Sequence, residues 1–221
     1  AGKTLPVTST WGSAGLTGIW AEENTREALF AALKRKETFG TTGPRIRVRM
    51  FAGYELQDVD LATEAGLRAA YANAVPMGGD LVARPGKRPQ FLVIAMRDVH
   101  SAPLQRIQII KGWSDASGKT FEKVFDVVCS DNGKVDSATQ RCPDNGASVD
   151  PSTCELSQDK GAGQLQGAWI DPEFDPRQHA FYYVRVLENP TCRWSTWDAI
   201  RAGVAPNPKL PKTIQERAYS S

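Results

Sequence analysis

Arg45-Ile46-Arg47-Val48-Arg49-Met50-Phe51 alternates strictly, with Ile46, Val48 and Met50 on one side of an extended chain and three arginines on the other. Successive side chains of a strand point to opposite faces, so the pattern predicts a half-buried strand turned towards a core. From here on the dominant period is two. Phe91–Met96 is apolar on both sides and reads as a central strand. Leu104–Ile110 and Phe121–Val128, with the turn Ser114-Asp-Ala-Ser-Gly118 between them, read as a hairpin. Leu165–Ile170 and Phe181–Leu187 are further strand candidates around the loop Asp171-Pro-Glu-Phe-Asp-Pro176. Short links between such strands predict a mainly β protein, an antiparallel β-sandwich-like domain over residues 45–221.

Other stretches depart from that period. Residues 59–73 read either as a short helix capped by Asp60 or as a loop excursion with one helical turn, and Gly66 weakens the helix. Pro76-Met-Gly-Gly-Asp80 reads as a turn, and Trp197–Arg201 as a helical turn stopped by Gly203. Residues 1–44 do not share the strand pattern. Asn24 and Glu27 make a capping-box-like start to a helix that runs to about Lys36, and Gly40 with Gly43-Pro44 ends the unit. That helix carries an apolar stripe of Ala28, Leu29, Ala32 and Leu33 with little chain before it to pack on. Residues 1–44 are therefore expected to be the terminal loop and helix of a preceding α/β domain, and the chain a piece of a larger protein.

The 221 residues suffice for one large or two small domains, and 41% hydrophobic with 24% charged residues suits a soluble globular protein. No apolar run approaches the roughly 18 residues of a membrane-spanning helix, and the first residues lack the apolar segment of a signal peptide. Net charge is +2, split as +5 over residues 1–112 and −3 over 113–221. That polarity is too mild for a nucleic-acid partner.

Three of the four cysteines, Cys129, Cys142 and Cys154, border or lie in a polar Asn/Asp/Gly/Pro-rich stretch; Cys192 is the fourth. None forms a Cys-x-x-Cys pair, which argues against a zinc ribbon or a thioredoxin-like site. Two disulfides in an exported protein, periplasmic or secreted, are the expectation; four reduced thiols are the alternative. Cys142 and Cys154 flank one compact loop, while Cys129 and Cys192 each follow an apolar strand. The expected pairing is Cys142–Cys154 with Cys129–Cys192.

Residues able to carry chemistry are sparse. His100 and His179 each stand at a strand end without a second histidine at ligand spacing, and read as surface residues. Glu22, Glu23, Asn24 and Arg26 crowd a loop–helix junction, where they either line a site in a preceding domain or simply solvate a well-capped helix start. Arg45, Arg47 and Arg49 read as a solvated strand face or an anion site. Asp131-Asn-Gly133 with Asp136, and Asp144-Asn-Gly146 with Asp150, read as turns and lack the EF-hand spacing for calcium. Trp194 and Trp197, three apart, form either a ligand-stacking shelf or a buried anchor for the terminal segment; burial is expected.

Several long segments carry a resemblance. They are Gly-Leu-Thr-Gly-Ile-Trp-Ala-Glu-Glu-Asn-Thr-Arg-Glu (15–27), Glu-Thr-Phe-Gly-Thr-Thr-Gly-Pro-Arg-Ile (37–46) and Val-Pro-Met-Gly-Gly-Asp (75–80). Arg-Ile-Gln-Ile-Ile-Lys-Gly-Trp (106–113), Asp-Pro-Glu-Phe-Asp-Pro-Arg-Gln-His-Ala-Phe-Tyr-Tyr-Val-Arg-Val-Leu-Glu (171–188), Pro-Thr-Cys-Arg-Trp-Ser-Thr-Trp-Asp (190–198) and Thr-Ile-Gln-Glu-Arg-Ala (213–218) complete the set. Through them the chain resembles a large bacterial family of unknown function, DUF3604. That family is similar in turn to the PHP (polymerase and histidinol phosphatase) metallohydrolases. The resemblance implies a metal-dependent hydrolase whose His and Asp ligands lie upstream of residue 1, with zinc, manganese or iron held there and no metal ligand in this chain. It makes 1–44 the C-terminal remnant of the PHP-like catalytic domain, which is then the partner of residues 45–221. It places Glu22, Glu23, Asn24 and Arg26 nearest the site, in positioning roles. The competing expectation is a non-catalytic β-sandwich module that binds a ligand or partner, or only supports its neighbour.

Overall fold

The computed structural model describes residues 15–56 and 58–221. In chain order the strands and helices are β1 (Leu16–Ile19), α1 (Arg26–Lys34), β2 (Thr38–Thr41), β3 (Arg47–Gly53), α2 (Glu64–Asn73), β4 (Val75–Pro76), β5 (Gln90–Met96), β6 (Leu104–Ser114), β7 (Thr120–Cys129), β8 (Gln164–Ile170), β9 (His179–Glu188), β10 (Thr191–Cys192), α3 (Trp194–Arg201), β11 (Thr213–Ile214) and β12 (Arg217–Ser220). The chain is mainly β, and every strand pair among the described residues is antiparallel.

Two sheets form the body, one ordered β1-β2-β12-β9-β6-β7 and the other β4-β3-β5-β8; β10 and β11 make a small separate ribbon. The alternation in β3 decides how the sheets meet. Ile46, Val48 and Met50 join Phe91, Val93 and Ala95 of β5 in one buried cluster with Ile107 and Ile109 of β6 and Val184 and Val186 of β9. The two inner faces thus share one apolar core, as in a sandwich. Phe51, Leu92 and Ile94 point the other way, into a second cluster with Leu56, Leu61 and Ala70. Helix α2 contributes Ala70 to that layer, which explains why β5 is apolar on both sides. β6 and β7 form the expected hairpin, with register shifting at Ile107/Gln108.

Several local expectations are corrected. α1 is capped by Thr25, whose side chain accepts from the Ala28 amide, one residue after the expected Asn24. α2 is a helix capped by Thr63, while Asp60 accepts from the Ala62 amide in the turn before it. Gly66 lies so close to the Asp60 carbonyl that a Cβ would sit 1.9 Å from it, so the residue that lowers helix propensity is required by packing. Gly40, expected to help end the helical unit, lies instead inside strand β2. That strand pairs with β1 on one side and β12 on the other, so residues 16–41 are hydrogen-bonded into the same sheet as the C-terminal strand. β8 and β9, adjacent in sequence, belong to opposite sheets.

All four cysteines are paired, but as Cys129–Cys142 and Cys154–Cys192. The expected pairing fails because the excursion after β7 folds straight back onto that strand. The Asp126 amide donates to the Gln140 carbonyl, and the Cys142 amide donates to the Asp126 carboxylate at 2.7 Å, which delivers Cys142 to Cys129. Cys154 then lies on a second turn, where its amide donates to the Asp150 carbonyl, and that turn meets the start of α3. Asp131, Asp136, Asp144 and Asp150 spend their carboxylates on backbone amides of Gly161, Ala138 and Thr139, Gly146, and Ser152 respectively, which is turn chemistry.

Candidate functional site

The β1–α1 connection holds Glu22, Glu23 and Asn24, and Arg26 opens the helix; all four are exposed. Glu23 accepts a hydrogen bond from the Thr25 hydroxyl at 3.1 Å. Of the expected apolar stripe α1 buries Ala32 and partly covers Ala28 and Leu29 but leaves Leu33 49% exposed, and Phe30, outside that stripe, is 67% exposed. The junction therefore offers two carboxylates, an amide and a guanidinium beside uncovered aromatic and aliphatic surface.

Just inside this edge is a network that the strand pattern did not reveal. Trp20 donates its indole N–H to the Val48 carbonyl at 2.8 Å, and the Arg49 guanidinium lies 3.6 Å from the centre of the Trp20 ring. Arg49 also reaches the Tyr71 hydroxyl at 3.4 Å, and that hydroxyl donates to the buried Glu37, which Arg35 approaches at 3.5 Å. Burial and the Glu37 hydrogen bond push the Tyr71 phenol up to about 12. Burial lowers the Arg49 pKa, against the pull of Tyr71 and Glu37. Arg45 and Arg47 remain exposed, so the three arginines of one strand face do not act as a set. Alternation identified the face; only the fold could show that its last arginine is stacked and half-buried.

A second polar centre sits in the sandwich. Lys111 donates to Asp171 at 2.6 Å and to the Glu173 carbonyl at 2.8 Å, and Tyr182 donates to the same carboxylate at 2.7 Å. Both charged side chains are buried, and burial with the adjacent Asp171 raises the Tyr182 pKa. Every donor here has an internal acceptor, which suits a structural clamp between β6 and the 171–176 loop.

The third centre contains the two tryptophans. Trp194 is 40% and Trp197 38% exposed, which corrects the expectation of burial. α3 is amphipathic, and it buries Thr196 and Ala199 on its inner side, with the Thr196 hydroxyl donating to the Lys212 carbonyl. Trp194 and Trp197 instead line a cavity of about 340 Å³ with Pro44, Asp98, His100, Ser101, Glu216 and the Cys154–Cys192 disulfide. Both histidines are exposed, as expected; His179 opens β9, while His100 lies in the turn between β5 and β6. Two further cavities, of about 550 and 490 Å³, open beside Met50, Phe91 and Tyr182 and beside Leu16, Phe39 and Arg47.

Among the described residues no group of three or more His, Cys, Asp or Glu side chains is disposed to hold a metal ion.

The family described as "Protein of unknown function (DUF3604)" matches residues 3–221. The chain belongs to that family. No curated protein and no solved structure matches it. In this DUF3604 chain the match over residues 3–221 takes in the polar β1–α1 junction, the Lys111–Asp171 pair and the Trp-lined cavity, so all of them lie within the family's own extent. No helix among the described residues is long and apolar enough to cross a membrane.

Proposed function

We propose that the chain is the C-terminal portion of an exported, PHP-like metal-dependent hydrolase whose metal ligands lie upstream. The observation that carries this reading is the β1–α1 junction, where Glu22, Glu23, Asn24 and Arg26 are exposed together beside the uncovered Phe30 and Leu33. Uncovered apolar surface rimmed by polar groups is the mark of an interface, and here we assign it to the upstream catalytic domain. Residues 1–44 would then close that domain, while β1 and β2 within them pair into the sheet. Zinc, manganese or iron would be held by the upstream domain, and Arg26 and the junction carboxylates would position substrate or the metal-bound side chains from outside. Two disulfides support an oxidising compartment, periplasmic or secreted.

The test uses the protein with its upstream region. Metal content and hydrolysis of phosphoester and carbamate esters are measured for the parent, Glu22→Gln and Arg26→Ala. Variants that lose activity at unchanged metal content support the reading. A metal-loaded parent that hydrolyses none of these esters, or variants with unchanged kcat and KM, would overturn it.

The exposure of Trp194 and Trp197 favours a second reading, in which the domain is a ligand-binding module on its own account. Titration of the isolated 221-residue protein, followed at those two indoles, separates this from a purely supporting role.

A further inference from the structure

The cavity beside α3 has a chemical character that neither the strand pattern nor family membership assigns. Its walls are two large π faces, Trp194 and Trp197, and its titratable lining residues are Asp98, Glu216 and the imidazole of His100. No lysine or arginine is among the described residues that line it. Arg97, the cation next in sequence to Asp98, is turned to the carbonyls of Asp98, Val99 and Ser101. Burial opposes ionisation of Asp98, but the amides of Arg45 and His100, together with the electrostatic pull of those two side chains, hold its carboxyl below the usual range.

Behind the lining lies a third carboxyl. Ser101, itself part of the cavity wall, donates to Glu188 Oε1 at 2.8 Å. Glu188 is 0% exposed, and its Oε2 has no hydrogen-bond partner among the described residues. Burial pushes the Glu188 carboxyl up to about 8 and the nearby Glu216 and Asp98 carboxyls add to the rise, so acidic groups crowd the wall behind the cavity. The walls are also held in place before any ligand arrives. The Cys154–Cys192 bond ties the 150–157 turn to the start of α3, and Thr196 fastens α3 to Lys212. Trp197 already draws one cation, the Arg201 guanidinium, to 5.6 Å from its ring centre. Indole faces attract cations through their quadrupole, most strongly where water is partly excluded.

We propose that this cavity binds a small organic cation, an ammonium or guanidinium group, between the indoles and the carboxylates of Asp98 and Glu216. The proposal rests on the ligand-binding reading of the domain and gives it a ligand class. The probe is tetramethylammonium chloride, compared with tert-butanol, a neutral molecule of similar shape, and with sodium chloride at equal ionic strength. Indole N–H resonances of the 221-residue protein are followed by NMR. Trp197→Leu removes a π face from an exposed site; Glu216 accepts a hydrogen bond from the Thr42 hydroxyl, and Glu216→Gln removes the charge while keeping an oxygen for that donor.

Saturable shifts at Trp194 and Trp197 with tetramethylammonium alone are expected, about tenfold weaker in either variant. Equal responses to tetramethylammonium and tert-butanol would overturn the cation assignment while leaving a ligand-binding domain. Shifts reproduced by sodium chloride, or unchanged affinity in Glu216→Gln, would overturn it as well. No shift with any probe would remove both the inference and the reading beneath it.

Discussion

Glu188→Gln is expected to abolish a pH dependence of stability that the parent shows between about pH 4.5 and 8. Glu188 ends β9, faces Leu104 across the ladder and is 0% exposed. Burial pushes its carboxyl from an ordinary 4.5 up to about 8; the Ser101 hydrogen bond opposes the rise, Glu216 and Asp98 add to it, and Arg97 resists it. The folded state therefore holds a proton that the unfolded chain releases at 4.5. A raised carboxyl contributes stability that is complete below the unfolded value and is lost as pH climbs through the folded one. At about 1.4 kcal/mol per unit, the rise corresponds to a loss on the order of 5 kcal/mol across the window. Urea unfolding at half-unit steps from pH 5 to 8.5 measures it. The parent midpoint should fall steadily, while the variant, which keeps an oxygen for Ser101 and cannot ionise, should stay nearly level. Parallel slopes for the two proteins would refute the argument, because the proton would then reside elsewhere.

Three other outcomes follow from the geometry. Non-reducing peptide mapping should recover Cys129 linked to Cys142 and Cys154 linked to Cys192; by loop entropy, removing the second link (separation 38) costs about 4 kcal/mol and the first (separation 13) about 3 kcal/mol, measured by urea denaturation. Lys111→Met should cost roughly 3–5 kcal/mol, since it strands the buried Asp171 carboxylate, and a melting temperature within a degree or two of the parent's would contradict a buried pair. Gly78→Ala should destabilise by more than about 1 kcal/mol, because φ is +84° and the added Cβ would lie 2.3 Å from the Lys36 carbonyl. Gly86→Ala, at φ +70° with nothing within 4 Å, isolates the backbone part of that cost.

Period-two alternation at Ile46, Val48 and Met50 and the two-sided apolar run Phe91–Met96 were enough to read a mainly β, antiparallel protein, because strand side chains report their face directly in sequence. The β6–β7 hairpin was equally legible, since its turn and both arms are contiguous. What sequence left open are the contacts between distant segments. Thr38–Thr41 is a strand because β1 and β12 lie on either side of it, and β12 is more than 170 residues away. β8 and β9 look like neighbours, yet the 171–176 loop carries the chain from one sheet to the other, where Asp171 meets Lys111. Cysteine spacing allows several pairings, and the choice went to the backbone that Asp126 pulls back onto β7. The two tryptophans of α3 are three apart, so helical spacing puts them on one face; it does not say whether that face meets core or solvent. Thr196 and Ala199 took the inward side, and that choice leaves the indoles lining a cavity built from five separate parts of the chain.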